Sequence, residues 1–458
     1  MKNYIKILMI LSVLFTGCGK EFLEEKRDKA LVVPTSIADL QALLDDATVT
    51  MNTSSGHELG VIGGDEIGLS YESWRDIPNR PFEKNGYIWA KNVYEGIDVN
   101  DWNKAYRRIL FANTACAGIE KIQPKPSNQL DWNNVKGGAH FFRAYNFYQL
   151  AQLFSAPFEQ SSAATDLGIP LRLEPDVTLK ISRGTNEKVY AQIISDLNLA
   201  ADLLPEKGIN VYRPTKPAAF ALLARIYLLM RDYKNARINA EKCLKIRNEL
   251  NDLNGLNLNA SYTFPTLGTN NPEVIFLSYM ANISMVTTTR INIAEEVLNL
   301  YQRNDLRSKA YFRPGTNGRT LFKGSYTGAA TLFTGLAVDE MLLISAECNA
   351  RLGDISVALE RLNQLLVTRY DSNSFSSLQQ VSAEVLVDII LLERRRELLL
   401  RGTRWEDLRR LNKDAHSAKT LTRNLNGEIF TLPPNDIRYV WPIPDKSIDL
   451  GGYLQNPR

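Results

Sequence analysis

The chain has 458 residues, 44% hydrophobic and 23% charged, an ordinary globular composition long enough to bury a large core. The net charge is +3, and setting aside Lys2 and Lys6 at the N-terminus leaves 52 basic against 51 acidic side chains. So even a balance argues against nucleic acid or an anionic membrane surface as the main partner.

Residues 5–15 form an almost wholly apolar run of eleven behind Lys2 and Lys6. That is too short to span a bilayer at about 1.5 Å rise per residue, but it fits the core of a signal peptide. Leu14-Phe15-Thr16-Gly17-Cys18 follows, with two small residues leading into a thiol. The run resembles a bacterial lipobox, although Phe15 departs from the usual Leu. It implies a signal peptide over 1–17 and acylation of Cys18, with a charged tether over 18–33. The remaining cysteines, Cys116, Cys243 and Cys348, show no metal-ligand spacing and read as small packed thiols.

Structure is expected from Pro34 onward, with Ser36 and Asp39 in capping-box spacing ahead of Leu40, Leu43 and Leu44. Residues 53–100 are rich in Gly, aromatics and polar groups and read as long loops with short strands. Helical periodicity then predicts helices over 102–122, 132–154, 187–204 (stopped by Pro205), 217–231 and 233–246. Residues 250–335 read as loop again, with a β-prone run at Val274-Ile275-Phe276-Leu277. Helices are predicted over 336–351, 355–367 and 383–400, and an extended, proline-bearing tail from Leu432.

Two segments share one internal pattern. Phe220, Leu223, Ala224, Tyr227, Ala236 and Ala240 have the tetratricopeptide spacing, and Leu342, Ser345, Ala346, Asn349, Ala358 and Leu362 repeat it. In both, a small residue precedes an Ala by twelve positions, as two closely approaching helices require. Such repeats normally present a protein-binding surface. The expected fold class is therefore mainly α, with tetratricopeptide-like helical repeats, long loops and a small β component. It divides into 34–215 and 216–458, forming one unit.

Several further segments occur in a distinctive order. They include Val32-Val33-Pro34-Thr35, Asp39-Leu40-Gln41-Ala42-Leu43-Leu44, and Trp102, Tyr106, Ile109 and Asn113. Ala139-His140-Phe141-Phe142-Arg143-Ala144 and Gly168-Ile169-Pro170-Leu171 follow. Nearer the C-terminus stand Glu393-Arg394-Arg395-Arg396-Glu397-Leu398, Gly402-Thr403-Arg404-Trp405-Glu406-Asp407-Leu408-Arg409-Arg410, and Pro442-Ile443-Pro444 with Gln455-Asn456-Pro457. With the lipobox, this series resembles the SusD/RagB family of surface lipoproteins, and the resemblance covers nearly the whole mature chain. Arg401 departs from the pattern, since the family commonly has an acidic residue there. The resemblance implies a lipid-anchored outer-membrane protein, facing the exterior. It would bind a nutrient glycan, or a peptide in some members, and partner a SusC-like TonB-dependent transporter. It implies no enzyme activity, cofactor or metal.

The charges from Glu393 to Arg410 read as an ion-paired structural network rather than a site. His57, His140 and His416 have no metal spacing, and His140 reads as a packed histidine. No serine elbow, phosphate loop or dinucleotide fingerprint is present, so no catalytic residue is assigned. A pyranose needs an aromatic face for its C–H groups and polar partners for its hydroxyls. The loop residues with that chemistry are Asp65, Tyr71, Trp74, Arg75 and Trp89, then Arg319 and Tyr326. Trp89 could equally alternate with Ile88 in a strand and fill core.

Overall fold

The computed structural model describes residues 34–266, 271–287 and 289–458. The signal peptide, Cys18 and the tether lie outside the described residues. The chain enters through α1 (Ile37–Leu44), where Ser36 Oγ accepts the Asp39 N–H and the Asp39 carboxylate accepts the Ser36 N–H, each at 3.1 Å. The capping box is therefore formed as its spacing implies.

Residues 53–100 differ from expectation. They hold three short helices, α2 (Glu58–Gly63), α3 (Tyr71–Arg75) and α4 (Pro81–Tyr87), rather than loops with strands. Helices of five to seven residues are too brief to display a 3.6-residue period. Ile88 and Trp89 form no strand: Tyr87 ends α4, and Trp89 sits in the left-handed region at φ 54°.

The long helices then stack in chain order. α5 (Asn100–Ile119) packs on α6 (Gln129–Phe154), and α6 on α7 (Asn186–Leu203), with the small hairpin of β1 (Leu167–Pro170) and β2 (Arg183–Thr185) between them in sequence. α6 is buried on every side from Val135 to Phe154 apart from Lys136 and His140, so its hydrophobic pattern marks a core helix rather than an amphipathic one. α8 (Lys216–Leu229) packs on α7 and on α9 (Tyr233–Ile246).

The loop-rich stretch that follows contains β3 (Val274–Phe276), α10 (Glu295–Leu298), α11 (Arg307–Tyr311), β4 (Phe312–Pro314), β5 (Thr320–Phe322) and β6 (Leu336–Ala337). β3 pairs with β6 and β4 with β5, both antiparallel. The row resumes with α12 (Val338–Arg351) against α9, then α13 (Ile355–Leu366) and α14 (Ala383–Glu397). Ala224, Ala236, Ala240, Ala346 and Ala358 are all fully buried, which confirms the close helix approach inferred from the repeat.

The helix expected to reach residue 400 stops at Glu397. Leu400 and Gly402 take positive φ (55° and 80°), and α15 (Arg404–Leu411) starts afresh. Any side chain at Gly402 would place its Cβ 2.7 Å from the His57 ring. The antiparallel hairpin β7 (Leu421–Leu425)–β8 (Glu428–Leu432) follows, and the tail is not wholly extended, since it includes α16 (Asp445–Gly451). One cluster of buried side chains runs from Leu40 to Ile443.

The charges around α14 and α15 form a buried lattice, as the sequence suggests. Arg394 bonds Asp407 at 2.8 Å, Arg410 bonds Glu347 at 2.6 Å, and Arg307 bonds Glu397 at 2.9 Å and Glu393 at 2.7 Å. Arg401 pairs with Asp339 at 3.0 Å, so the departure at that position has its own acidic partner. Carboxylates of Glu273, Asp339 and Glu397 converge within metal-ligating distance of one another, but Arg369, Arg401 and Arg307 already occupy their oxygens. The cluster therefore reads as compensated core rather than a metal centre.

Candidate functional site: an aromatic and basic loop surface

The seven loop residues singled out by chemistry separate into two groups. Asp65, Trp89 and Tyr326 face inward. Tyr71, Trp74, Arg75 and Arg319 reach solvent.

Asp65 is closed off by cations. It accepts from Arg404 at 2.7 and 2.9 Å, from Arg395 at 3.0 Å and from Lys419 at 2.8 Å. Burial opposes its ionisation, yet these cations hold the carboxyl well below the usual range. Glu66 beside it is pushed up to about 7 by burial and accepts the Leu400 N–H at 2.9 Å. One carboxyl raised and its neighbour lowered is the pattern of an acid–base pair. Here, however, both groups are enclosed, with Glu66 only 2% exposed, so the pair joins loop to helix.

Trp89, 1% exposed, donates its indole N–H to the Gly63 carbonyl at 3.0 Å. Arg423 of β7 lies 3.6 Å from the Tyr87 ring centre and 4.9 Å from that of Trp89, and donates to the carbonyls of Ile62, Gly64 and Ile67. The two rings and the guanidinium thus form the wall of a cleft of about 460 Å³ between residues 64–69 and β7. Tyr326, also 1% exposed, donates to Glu273 and Asp339, under Arg401 at 4.7 Å from its ring centre. Tyr326 presents no ring face to a ligand, and Trp89 is buried in the cleft wall with Arg423 over its ring. Their role is packing, which for Trp89 is the alternative already open in the sequence.

The outward group sits on α3 and on the turn before β5. Ser70 caps α3 by accepting the Ser73 N–H at 3.2 Å. This places Tyr71 and Trp74 one turn apart on a half-buried face, with ring centres 6.0 Å apart at 37°. Trp74 is fixed at its polar edge, where its N–H donates to the Lys84 carbonyl at 3.0 Å. The Lys84 ammonium lies 5.2 Å from the Trp74 ring centre and donates to the Arg75 carbonyl at 3.0 Å. Arg75 pairs with Asp76 at 2.7 Å.

The second loop is joined to the first by residues 289–294. Arg290 donates to the Asp76 carbonyl at 3.2 Å, and Arg319 donates to the Thr289 carbonyl at 2.5 Å. Gly68 N–H meets the Asn292 carbonyl at 2.9 Å, and Ile293 N–H the Thr320 carbonyl at 3.1 Å. Arg319 therefore lies on the same continuous loop surface as Tyr71 and Trp74. Arg290 belongs there too and had no local signal, because only tertiary contact brings it across more than two hundred residues.

A different feature lies on the repeats, where a groove of about 830 Å³ runs between α9 and α13. Arg237, Lys242, Lys245, Arg361 and Ile238 are among its lining residues.

Fold and surface together define a helical-repeat protein whose short helix α3, outside the repeat helices, carries the solvent-facing aromatic pair. Residues 21–228 match a SusD-like family model described as starch-binding and associating with the outer membrane, and residues 338–458 match the SusD/RagB model described as the SusD family. The chain belongs to the SusD/RagB family. It is 25% identical to SusD-like protein P2 of Formosa agariphila, over 90% of this chain and 91% of that one. SusD-like protein P38 of the same organism is 23% identical over 75% and 76%. A solved SusD superfamily protein of Bacteroides thetaiotaomicron superposes with a TM-score of 0.71 at 22% identity, covering 92% of this chain and all of that one. A SusD-like carbohydrate binding protein of Bacteroides vulgatus gives 0.67 at 19% identity, covering 91% and 97%. These solved structures share the mainly α fold.

Proposed function

We propose that this chain is a surface lipoprotein that captures a nutrient oligosaccharide and passes it to a TonB-dependent outer-membrane transporter. The observation that carries the reading is the Tyr71–Trp74 pair, held in place yet open to solvent on the loop surface. Aromatic faces offer a sugar its C–H stacking surface, while Arg75 and Arg319 supply donors for hydroxyls. Family membership and the carbohydrate-binding description of the B. vulgatus protein point the same way. Cys18 would hold the protein on the outer leaflet. The repeat groove between α9 and α13 is the face offered to the transporter.

The protein is read as a binder rather than an enzyme, because the carboxyl pair most like a catalytic one, Asp65 and Glu66, is enclosed and engaged. Isothermal titration of the purified mature chain against glycan and peptide pools tests the proposal. Binding of glycans that weakens in Trp74→Ala supports it. Binding confined to peptides replaces the ligand class, and turnover of a chromogenic glycoside would make the chain a hydrolase.

A further inference from the structure

The charges on the loop surface are unequal. Within the chain of contacts from Tyr71 to Arg319 lie four cations, Arg75, Lys84, Arg290 and Arg319, against two carboxylates, Glu72 and Asp76. Asp76 is occupied by Arg75, and Glu72 hydrogen-bonds within its own short helix at Ser70. Lys84, Arg290 and Arg319 instead donate to main-chain carbonyls, those of Arg75, Asp76 and Thr289. Around α14 and α15 the fold pairs its arginines with acids, every one from Arg394 to Arg410 except Arg409, although Arg183 and Arg423 also donate to main-chain carbonyls. Lys84 stands over the Trp74 ring, and Arg290 and Arg319 lie further along the same chain of contacts. The Asp76 carboxylate is shared among Arg75, Lys84 and Arg290, so cations outnumber carboxylates there and N–H donors remain for an external acceptor.

From this juxtaposition we infer that the ligand of the loop surface is an acidic oligosaccharide, one whose sugar units carry carboxylate or sulfate groups. The inference rests on the proposed capture of a glycan and specifies its chemistry. The Tyr71 and Trp74 rings take the apolar face of a sugar ring, and Lys84, Arg290 and Arg319 take its anionic substituents through charge-assisted hydrogen bonds. Guanidinium groups match carboxylate and sulfate geometry with two parallel donors, which ammonium cannot do. An acidic peptide would satisfy the cations, but it offers the Trp74 face no flat C–H surface of comparable extent.

The test titrates the purified mature chain with oligogalacturonate, a sulfated galactan oligosaccharide, a neutral galactan oligosaccharide of equal length and a poly-glutamate peptide. One of the two acidic glycans should bind on the order of tenfold more tightly than the neutral one at low salt. That preference should shrink as NaCl shortens the screening length from about 30 Å at 0.01 M to about 10 Å at 0.1 M. The pair Arg290→Gln and Arg319→Gln should abolish the preference, and Arg290→Lys with Arg319→Lys should restore the salt-sensitive part. Should the glutamine pair fail to fold, the salt series on the wild-type chain decides alone. Equal affinity for the neutral glycan, or a salt-insensitive preference, overturns the inference and leaves glycan capture standing. Tightest binding to poly-glutamate overturns it in favour of a peptide ligand. No binding to any glycan overturns the capture reading itself.

Discussion

Replacing Arg369 with Met should destabilise the fold by an amount that grows with pH. Arg369 is 1% exposed and donates to Glu397 at 2.8 Å, to both oxygens of Glu273 at 2.9 Å and to the Asn251 carbonyl at 2.8 Å. Met fills much of the space but leaves two buried carboxylates short of a partner, a change that typically costs about 3–5 kcal/mol. Glu397 retains Arg307 at 2.9 Å, so the burden falls on Glu273. Burial already pushes that carboxyl up to about 7, even with Arg369 beside it.

The sign follows from the raised value. Protonation of Glu273 in the fold contributes stability that is complete below about 4.5 and is lost as pH rises through about 7. Without Arg369 the folded carboxyl must stay protonated to higher pH, which costs about 1.4 kcal/mol for each further unit. Near pH 6 both proteins hold the proton, and the variant loses only hydrogen bonds, about 1–3 kcal/mol. Near pH 8.5 the deficit should reach the full 3–5 kcal/mol or so. Urea denaturation of both proteins at the two pH values measures the difference, and titrations common to both cancel. A deficit equal at both pH values, or below about 1 kcal/mol at the higher one, refutes the reasoning.

Three further outcomes are expected. Trp74→Ala should weaken glycan binding by about 1–3 kcal/mol with little change in stability, whereas Trp89→Ala should cost about 3–5 kcal/mol of stability; calorimetric titration and denaturation midpoints separate the two. Glu406, pushed up to about 8 by burial, accepts Tyr148 O–H at 2.6 Å, and its neighbour His57 is pushed down to about 3 by burial and Arg225, so at neutral pH the two form no ion pair. Its protonation stabilises fully below about 4.5 and is lost as pH rises through about 8, so Glu406→Gln should gain on the wild type by about 1.4 kcal/mol per unit across that window, and parallel stability curves would contradict this. Cys18→Ala should release the protein from membranes while its thermal midpoint stays unchanged, because each buried acyl CH₂ contributes about 0.8 kcal/mol to anchoring and none to the core; fractionation and mass spectrometry of the N-terminus check it.

The parts of the fold legible in the sequence are those whose signal is periodic or local. The capping box at Ser36, the strand at Val274–Phe276 and the long helices from α5 to α14 were all readable, their ends shifting by a few residues. The three short helices between residues 58 and 87 were not, because each is too brief to show a period, and α2 and α4 are also held by distant partners. α2 is capped by the Asp101 carboxylate, which accepts the Leu59 N–H at 2.7 Å, and α4 is tied to a remote segment by its own Glu83, which accepts the Ser284 N–H at 2.9 Å. Neither partner is visible to a window moved along the chain.

The same reasoning explains why a chemically uniform list of loop residues divided in two. Asp65 and Arg75 are both charged residues in one loop window, and Trp74 and Trp89 are both tryptophans fifteen positions apart. What separates them is whether the fold supplies a partner that closes the group. Asp65 is met by Arg404, 339 positions away, and Trp89 by Arg423, whereas Trp74 is met by the near neighbours Tyr71 and Lys84 and stays partly exposed. An enclosed group has its valence and surface already satisfied by the protein, and a ligand could reach it only by breaking those contacts. A group aimed by carbonyls or by one edge costs the ligand no such exchange. On that criterion Arg290 enters the candidate surface although no feature of its own sequence marks it, and Tyr326 leaves it although its loop is aromatic and polar in the way a sugar site requires.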